Sequence, residues 1–241
     1  MEEKERMKIL SGENILINEQ KSEFKIVETL EAIEIIDKYD YLKKAFKYIL
    51  LNSKSNYSPY HDLNHLMTVM KYCYLGAIAE GVKDEKEVRE LLIAAIFHDA
   101  NHSAGKKTDD LNIKSSKKIM KEFVDSENID VELGVMNDIL DATQYPYEIK
   151  GEDLNDRQAI IRDADIMQIY QYNWIQQNIG GLAQELNIDF IDFLKTQKKF
   201  MDSVEFNTKW GKALKIDMWS DVENKFKILE DACAIKLKSE K

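Results

Sequence analysis

Nine glycines and two prolines punctuate 241 residues, and that scarcity limits the architecture more than any motif does. An average chain carries about 12% of the two together. Turn-dense folds need them for left-handed backbone and rigid corners. A β-sandwich, a propeller and a collagen-like rod are therefore disfavoured, and long helices on short connections remain. The apolar spacing agrees: Ile26, Val27, Leu30, Ile33 and Ile36 recur mostly at threes and fours. No window alternates with period two. The periodicity predicts helices over 22–36, 41–51, 62–80, 84–97, 111–125, 131–143, 156–178, 189–208 and 220–238. Gly81, Gly105 and the pair Gly180-Gly181 are the expected breaks. Residues 1–20 have weak periodicity and read as an N-terminal arm. Residues 21–241 read as one all-α domain, a compact helical bundle with no repeat and no linker.

Charge narrows the partners. The net charge is −10 and the pI about 5.1, which disfavours a nucleic-acid partner or an anionic membrane surface. A small polyanionic substrate stays open, because bound metals invert the local charge of a site. Cys73 and Cys233 are the only cysteines and make no disulfide framework, so a reducing compartment is expected. The opening MEEKERMKIL lacks a signal-like apolar stretch, and the longest apolar run, Leu91 to Phe97, is too short to cross a bilayer. The expectation is a cytoplasmic protein, and a homo-oligomer is compatible with the composition.

The four histidines all lie between positions 61 and 102. His61 and His65 are spaced i, i+4, so a helix would put them on one face. His98, Asp99 and His102 form H-D-x-x-H at the end of the apolar run. Neutral imidazoles with a carboxylate suit a transition metal, and Asp99 could bridge two ions. A single His-x-x-x-His pair is often coincidence. Two such pairs that use every histidine in the chain are not easily dismissed. The site needs one more carboxylate, and Asp163 and Asp165 are embedded in the largely apolar segment Ala159 to Tyr170. They are two apart and cannot share a helix face, so on spacing alone either could be the ligand.

The ordered set His65, His98-Asp99 and a distant Asp resembles the HD-domain metal-dependent phosphohydrolase superfamily, whose fold is an α-helical bundle. The family's last Asp commonly follows a small residue and precedes an aliphatic one, which matches Ala164-Asp165-Ile166. A narrower resemblance is to class I cyclic-nucleotide phosphodiesterases. Tyr60-His61-Asp62-Leu63-Asn64-His65 is similar to their first signature, and His98-Asp99-Ala100-Asn101-His102 to their second. Asp62 stands where that family usually has Asn, and Gly105 comes one residue later than its usual glycine. Gln197-Lys198-Lys199-Phe200-Met201-Asp202 resembles the segment that holds the base. By itself the stripe Phe193, Gln197, Phe200, Met201 and Val204 reads as an ordinary core face. After the other motifs, in order, it reads as a base pocket.

The resemblance implies His65, His98, Asp99 and Asp165 as metal ligands and His61, Asp99 and His102 as catalytic residues. It implies two divalent metals: Zn, Mn or Fe at the tight site, and Mg or Mn at the second. Metal-activated hydroxide would open a 3′,5′-cyclic phosphate while His61 protonates the departing ribose oxygen. His102 would orient the surroundings of the bridging water. Gln197 and Phe200, with His61, would bind the nucleotide. Two other readings share the residues. One is an HD-domain nucleotidase or guanosine-polyphosphate hydrolase, with Lys106 and Lys107 on the extra phosphates. The other is a sensor that binds nucleotide or metal without turnover.

Overall fold

Amphipathic stripes and side-chain caps set the helices, and a computed structural model shows how they assemble. It describes residues 30–171 and 173–233. The proposed arm, and the Ser22 start of the first predicted helix, lie outside them. The described helices begin with α1 (30–38) and α2 (Asp40–Asn52), followed by α3 (Leu63–Glu80) and α4 (Glu85–Phe97). After these come α5 (Asp109–Glu127), α6 (Leu133–Asp141) and α7 (Asp156–Ile166). A tight 3₁₀ turn (Met167–Tyr170) and a π-wound segment (Ile175–Leu182) lead into α8 (Ala183–Leu186), α9 (Phe190–Ser203) and α10 (Lys209–Cys233). Among the described residues there is no strand. The chain is an all-α, single-domain bundle, as its breaker-poor sequence predicts. No helix among the described residues is long and apolar enough to cross a membrane.

Three helices place the site. The Asp62 side chain accepts the His65 N–H at 3.0 Å and caps α3. Gly81, at φ 78°, ends it in a left-handed turn. Asp84 caps α4 by accepting the Lys86 and Glu87 N–H groups. A capping box between Asn155 and Gln158 starts α7. Leu66, Val69, Met70, Cys73 and Ala77 form the buried stripe of α3, which packs most extensively against α4 and α7. Leu91 to Phe97 of α4 is fully buried. A second core cluster joins the 3₁₀ turn and π segment to α9 and α10, and Tyr72 of α3 packs against both clusters.

The structure departs from the periodicity at four places, each with a physical cause. The predicted helix 156–178 stops at Ile166 and tightens into the 3₁₀ turn. Lys225 of α10 donates to the Ile169 and Gln171 carbonyls, at 3.0 and 3.1 Å, and so satisfies groups that a continuing helix would have used. Gly180-Gly181 does not break the chain and lies inside the π-wound segment. A Cβ at Gly181 would collide with the Pro59 carbonyl, so glycine lets the loop before α3 lie against the segment that leads to α8. The predicted helix 189–208 ends at Ser203, because residues 204–208 leave it to meet Asp163. The last helix starts at Lys209 rather than near 220, where the Thr208 hydroxyl accepts the Gly211 N–H at 2.8 Å. Its predicted end near 238 lies outside the described residues.

Candidate metal centre

Each imidazole has two nitrogens, and what holds one decides what the other can do. His65 enters from the first turn of α3 and His98 from the end of α4, both buried. The His65 Nδ1–H donates to Gln168 Oε1 at 2.9 Å, and the His98 Nδ1–H to the Ala95 carbonyl at 2.8 Å. Both Nε2 atoms are thereby turned inward, 3.1 Å apart. Asp99 Oδ2 lies 3.2 Å from His65 Nε2 and 3.1 Å from His98 Nε2. Asp165 Oδ1 lies 3.3 and 3.6 Å from the same two atoms.

These separations suit a cation. Metal–ligand bonds of about 2.1 Å put neighbouring ligand atoms roughly 3.0–3.4 Å apart. Two inward imidazole nitrogens at 3.1 Å repel as lone pairs unless a proton or a cation lies between them. Burial alone would push the His65 imidazole down, yet bonds to Asp165 and Asp99 raise it to about 9. The His98 imidazole is likewise lowered by burial and raised well above its ordinary value by Asp99 and Asp165. Burial would raise both carboxyls, but the imidazoles hold Asp99 and Asp165 well below the carboxylate range. Metal-free, the cluster holds protons; a divalent cation is the natural competitor for them. The donors fit: two nitrogens and two carboxylates suit Zn, Mn or Fe.

The other two histidines are held differently. His61 Nδ1–H donates to Glu185 Oε2 at 2.6 Å. The other oxygen, Oε1, accepts from the Tyr60 and His61 N–H groups, at 2.7 and 2.9 Å, and from the Ser58 hydroxyl. Four donors and no solvent exposure fix this carboxylate. Burial would raise its pKa, but the bond and charge of His61 lower it to about 2. The free Nε2 of His61 lies 3.7 Å from Asp99 Oδ2. His102 stacks on His61 with ring centroids 3.5 Å apart. Its Nδ1 accepts the Ala104 N–H at 3.2 Å, so Nε2 carries the proton. Burial lowers its pKa to about 4, which keeps the ring neutral. His61, Asp99 and His102 make a second group with ligand atoms within 4.8 Å of one another, sharing Asp99 with the first. The Nδ1 contact leaves His102 a donor there rather than a ligand.

Asp163 and Asp165 part company. Asp163 accepts the Asn207 and Thr208 N–H groups, at 2.8 Å each, and the Asn207 amide and Thr208 hydroxyl. It ties α7 to the start of α10, where a carboxylate also complements the helix dipole. Gln197 is buried on α9 and Phe200 packs against the second core cluster, and no hydrogen bond or ion pair among the described residues joins either to the histidines. Phe200 meets the edge of the Tyr145 ring at 5.7 Å. Sequence reasoning missed Gln168 and Glu185. Glu185 is one of 44 acidic residues, and only the fold distinguishes it. No family model, curated protein or solved structure matches the chain.

Proposed function

We propose that the chain is a metal-dependent phosphoric ester hydrolase acting on nucleotides, of the HD-domain kind, with a 3′,5′-cyclic phosphodiester as the favoured substrate. One observation carries the reading. Four ligand groups face one another, and beside them stands a third imidazole whose back is held by a carboxylate and whose front is free. A purely structural metal site needs only the first part.

His65, His98, Asp99 and Asp165 would hold the tighter metal, and Asp99 can also serve a second, Mg or Mn. Metal bound there supplies Lewis-acid activation of water and of the phosphoryl oxygens. The chain's own work is proton delivery and orientation. With Nδ1–H on Glu185, His61 presents Nε2 as the acid that protonates the departing oxygen. Glu185 holds the Nδ1 side of the ring and fixes its plane, so that Nε2 faces Asp99. His102, neutral and stacked on His61, offers its Nε2–H as a donor near Asp99. Lys106 and Lys107 are exposed on the turn after His102, which keeps the linear-polyphosphate reading in view.

The test is a hydrolysis panel with metal analysis of the same sample. Cyclic AMP, cyclic GMP, the nucleoside mono- to triphosphates and guanosine polyphosphates are incubated with protein loaded with Mn²⁺. Opening of a cyclic ester supports the favoured substrate. Cleavage confined to linear phosphates moves the substrate to the nucleotidase class, and metal-replete protein that cleaves none overturns the reading.

A further inference from the structure

A second concavity lies at the far end of the α3–α4 hairpin whose other end carries His65 and His98. Among the described residues its walls include Tyr39, Tyr41 and Tyr74, with Ile78, Val82 and Val88. Its volume is about 460 Å³, within the size range of small-molecule sites. Ile78 is thirteen residues along α3 from His65, about 20 Å at the rise of an α-helix. A small ligand held there does not reach the metal centre.

The walls combine flat rings with positive charge. Tyr39 meets Tyr41 at 5.3 Å, tilted by 36°, and meets Tyr74 at 6.3 Å, edge to face. All three rings are only half-buried. Rings set at different angles offer a face and an edge to a further flat ring. Lys38 Nζ–H donates to the Tyr74 hydroxyl at 2.8 Å and stands 5.6 and 5.4 Å from the Tyr39 and Tyr74 centroids. The Arg89 guanidinium lies 5.8 Å from the Tyr41 centroid. Its Nη1–H donates to the Asp130 carbonyl at 3.0 Å, a bond that uses one of several guanidinium donors. Lys83 lines the cavity from the exposed turn after α3. Against these cations the lining has one carboxylate, Glu85. Asp84 is spent on the α4 cap, and Asp37 pairs with Lys43 at 2.8 Å. In a chain of net charge −10, the border of this cavity has the opposite sign.

We propose that this cavity is a second ligand site, for a small planar aromatic anion whose ring packs among Tyr39, Tyr41 and Tyr74 and whose negative group meets Arg89 and Lys83. Stacking on tyrosine tolerates any flat ring, and a guanidinium matches the geometry of a carboxylate or a phosphate. A mononucleotide and an aromatic carboxylic acid share this chemistry. The site rests on its own residues and is independent of the hydrolase reading.

The test is calorimetric titration of the full chain, in EDTA, with AMP and with indole-3-acetate. Adenosine and ribose 5-phosphate serve as controls that lack the charge and the ring. At least one probe should bind, and both controls should bind at least about tenfold more weakly than AMP where AMP is the ligand. Tighter binding of AMP assigns the site to nucleotides, and tighter binding of indole-3-acetate to aromatic acids. Tyr74→Ala, checked for folding by circular dichroism, should weaken the bound probe by about tenfold, the loss of one ring stack. Lys83→Gln, an exposed change that spares the core, should weaken it by roughly two- to fivefold, and added salt should reduce that difference. Tyr74→Ala should leave the Mn²⁺ content of loaded protein unchanged, which separates this site from the metal centre. Wild type that binds neither probe, or binding that Tyr74→Ala and Lys83→Gln leave unchanged, overturns the proposal. So does a dimer that fills the cavity, seen in sedimentation as self-association lost in Tyr74→Ala.

Discussion

His65 and His98 differ from His61 and His102 in what holds Nδ1, and the difference separates two kinds of chemistry. The first pair give Nδ1–H to neutral acceptors, the Gln168 amide and the Ala95 carbonyl. Their Nε2 atoms meet each other and two carboxylates. In the second pair His61 gives Nδ1–H to a carboxylate with no solvent exposure, and His102 receives an N–H at Nδ1. A neutral acceptor makes an imidazole a better ligand without making it an acid. A buried carboxylate fixes the ring and leaves Nε2 facing outward, the placement a proton donor needs. Four histidines within 42 residues of one another thus divide into two whose Nε2 atoms meet Asp99 and Asp165, one backed by Glu185 and one stacked on that ring.

The comparison is most severely tested at the ligands. His98→Ala or Asp165→Asn should lose bound Mn²⁺ by mass spectrometry and lose hydrolysis by at least about 10³-fold, since no other group can replace a buried ligand. Full activity in His98→Ala would break the division outright. Glu185→Gln tests the other half: metal content should hold while kcat falls roughly 10- to 100-fold, as expected when an acid keeps its place but loses its charged partner.

The two aspartates sharpen the contrast. Asp163→Asn should retain metal, because Asp163 touches Asn207 and Thr208 and none of the histidines. It should lower stability by roughly 1–3 kcal/mol in urea unfolding, since buried donors lose a charged acceptor. Metal loss in Asp163→Asn with retention in Asp165→Asn would reverse the assignment.

The pH dependence gives the smallest effect and the clearest sign. His65 is raised to about 9 from an ordinary 6.5. Its protonated form therefore stabilises the metal-free fold fully below 6.5, and that contribution fades as pH rises through about 9. Metal competes with the same proton, so Mn²⁺ affinity should climb over this window and level off above it. Thermal melts should show metal-free protein losing stability from pH 6.5 to 9 while loaded protein does not. Calorimetry in two buffers of different ionisation enthalpy should detect the released protons.

The helices, and the candidate cluster of His65, His98, Asp99 and Asp165, were legible in the sequence largely through local spacing. The apolar run ending in His-Asp places both side chains at a buried helix end, whereas neither i, i+4 pair shares a helix face as expected, because α3 starts after His61 and α4 ends before His98. The choice between Asp163 and Asp165 was not decidable from spacing, since it depends on whether Asn207 or the histidines lie opposite. Gln168 escaped notice because the helix was expected to run on; the 3₁₀ turn after Ile166 brings it to the His65 ring. Glu185 lies more than 120 residues from His61, and its only local signal, Gly181 under Pro59, reads as a helix breaker until the packing is known. The early start of α10 turned on one Thr208 hydroxyl, which no periodicity reveals.

The most direct measurement is made on His61→Ala: bound metal and hydrolysis of cyclic AMP, determined on one Mn²⁺-loaded sample beside wild type. The account predicts metal content equal to wild type and turnover reduced by at least about 10²-fold, as for a lost general acid. Loss of the metal together with the activity, or full activity with the metal in place, would contradict it.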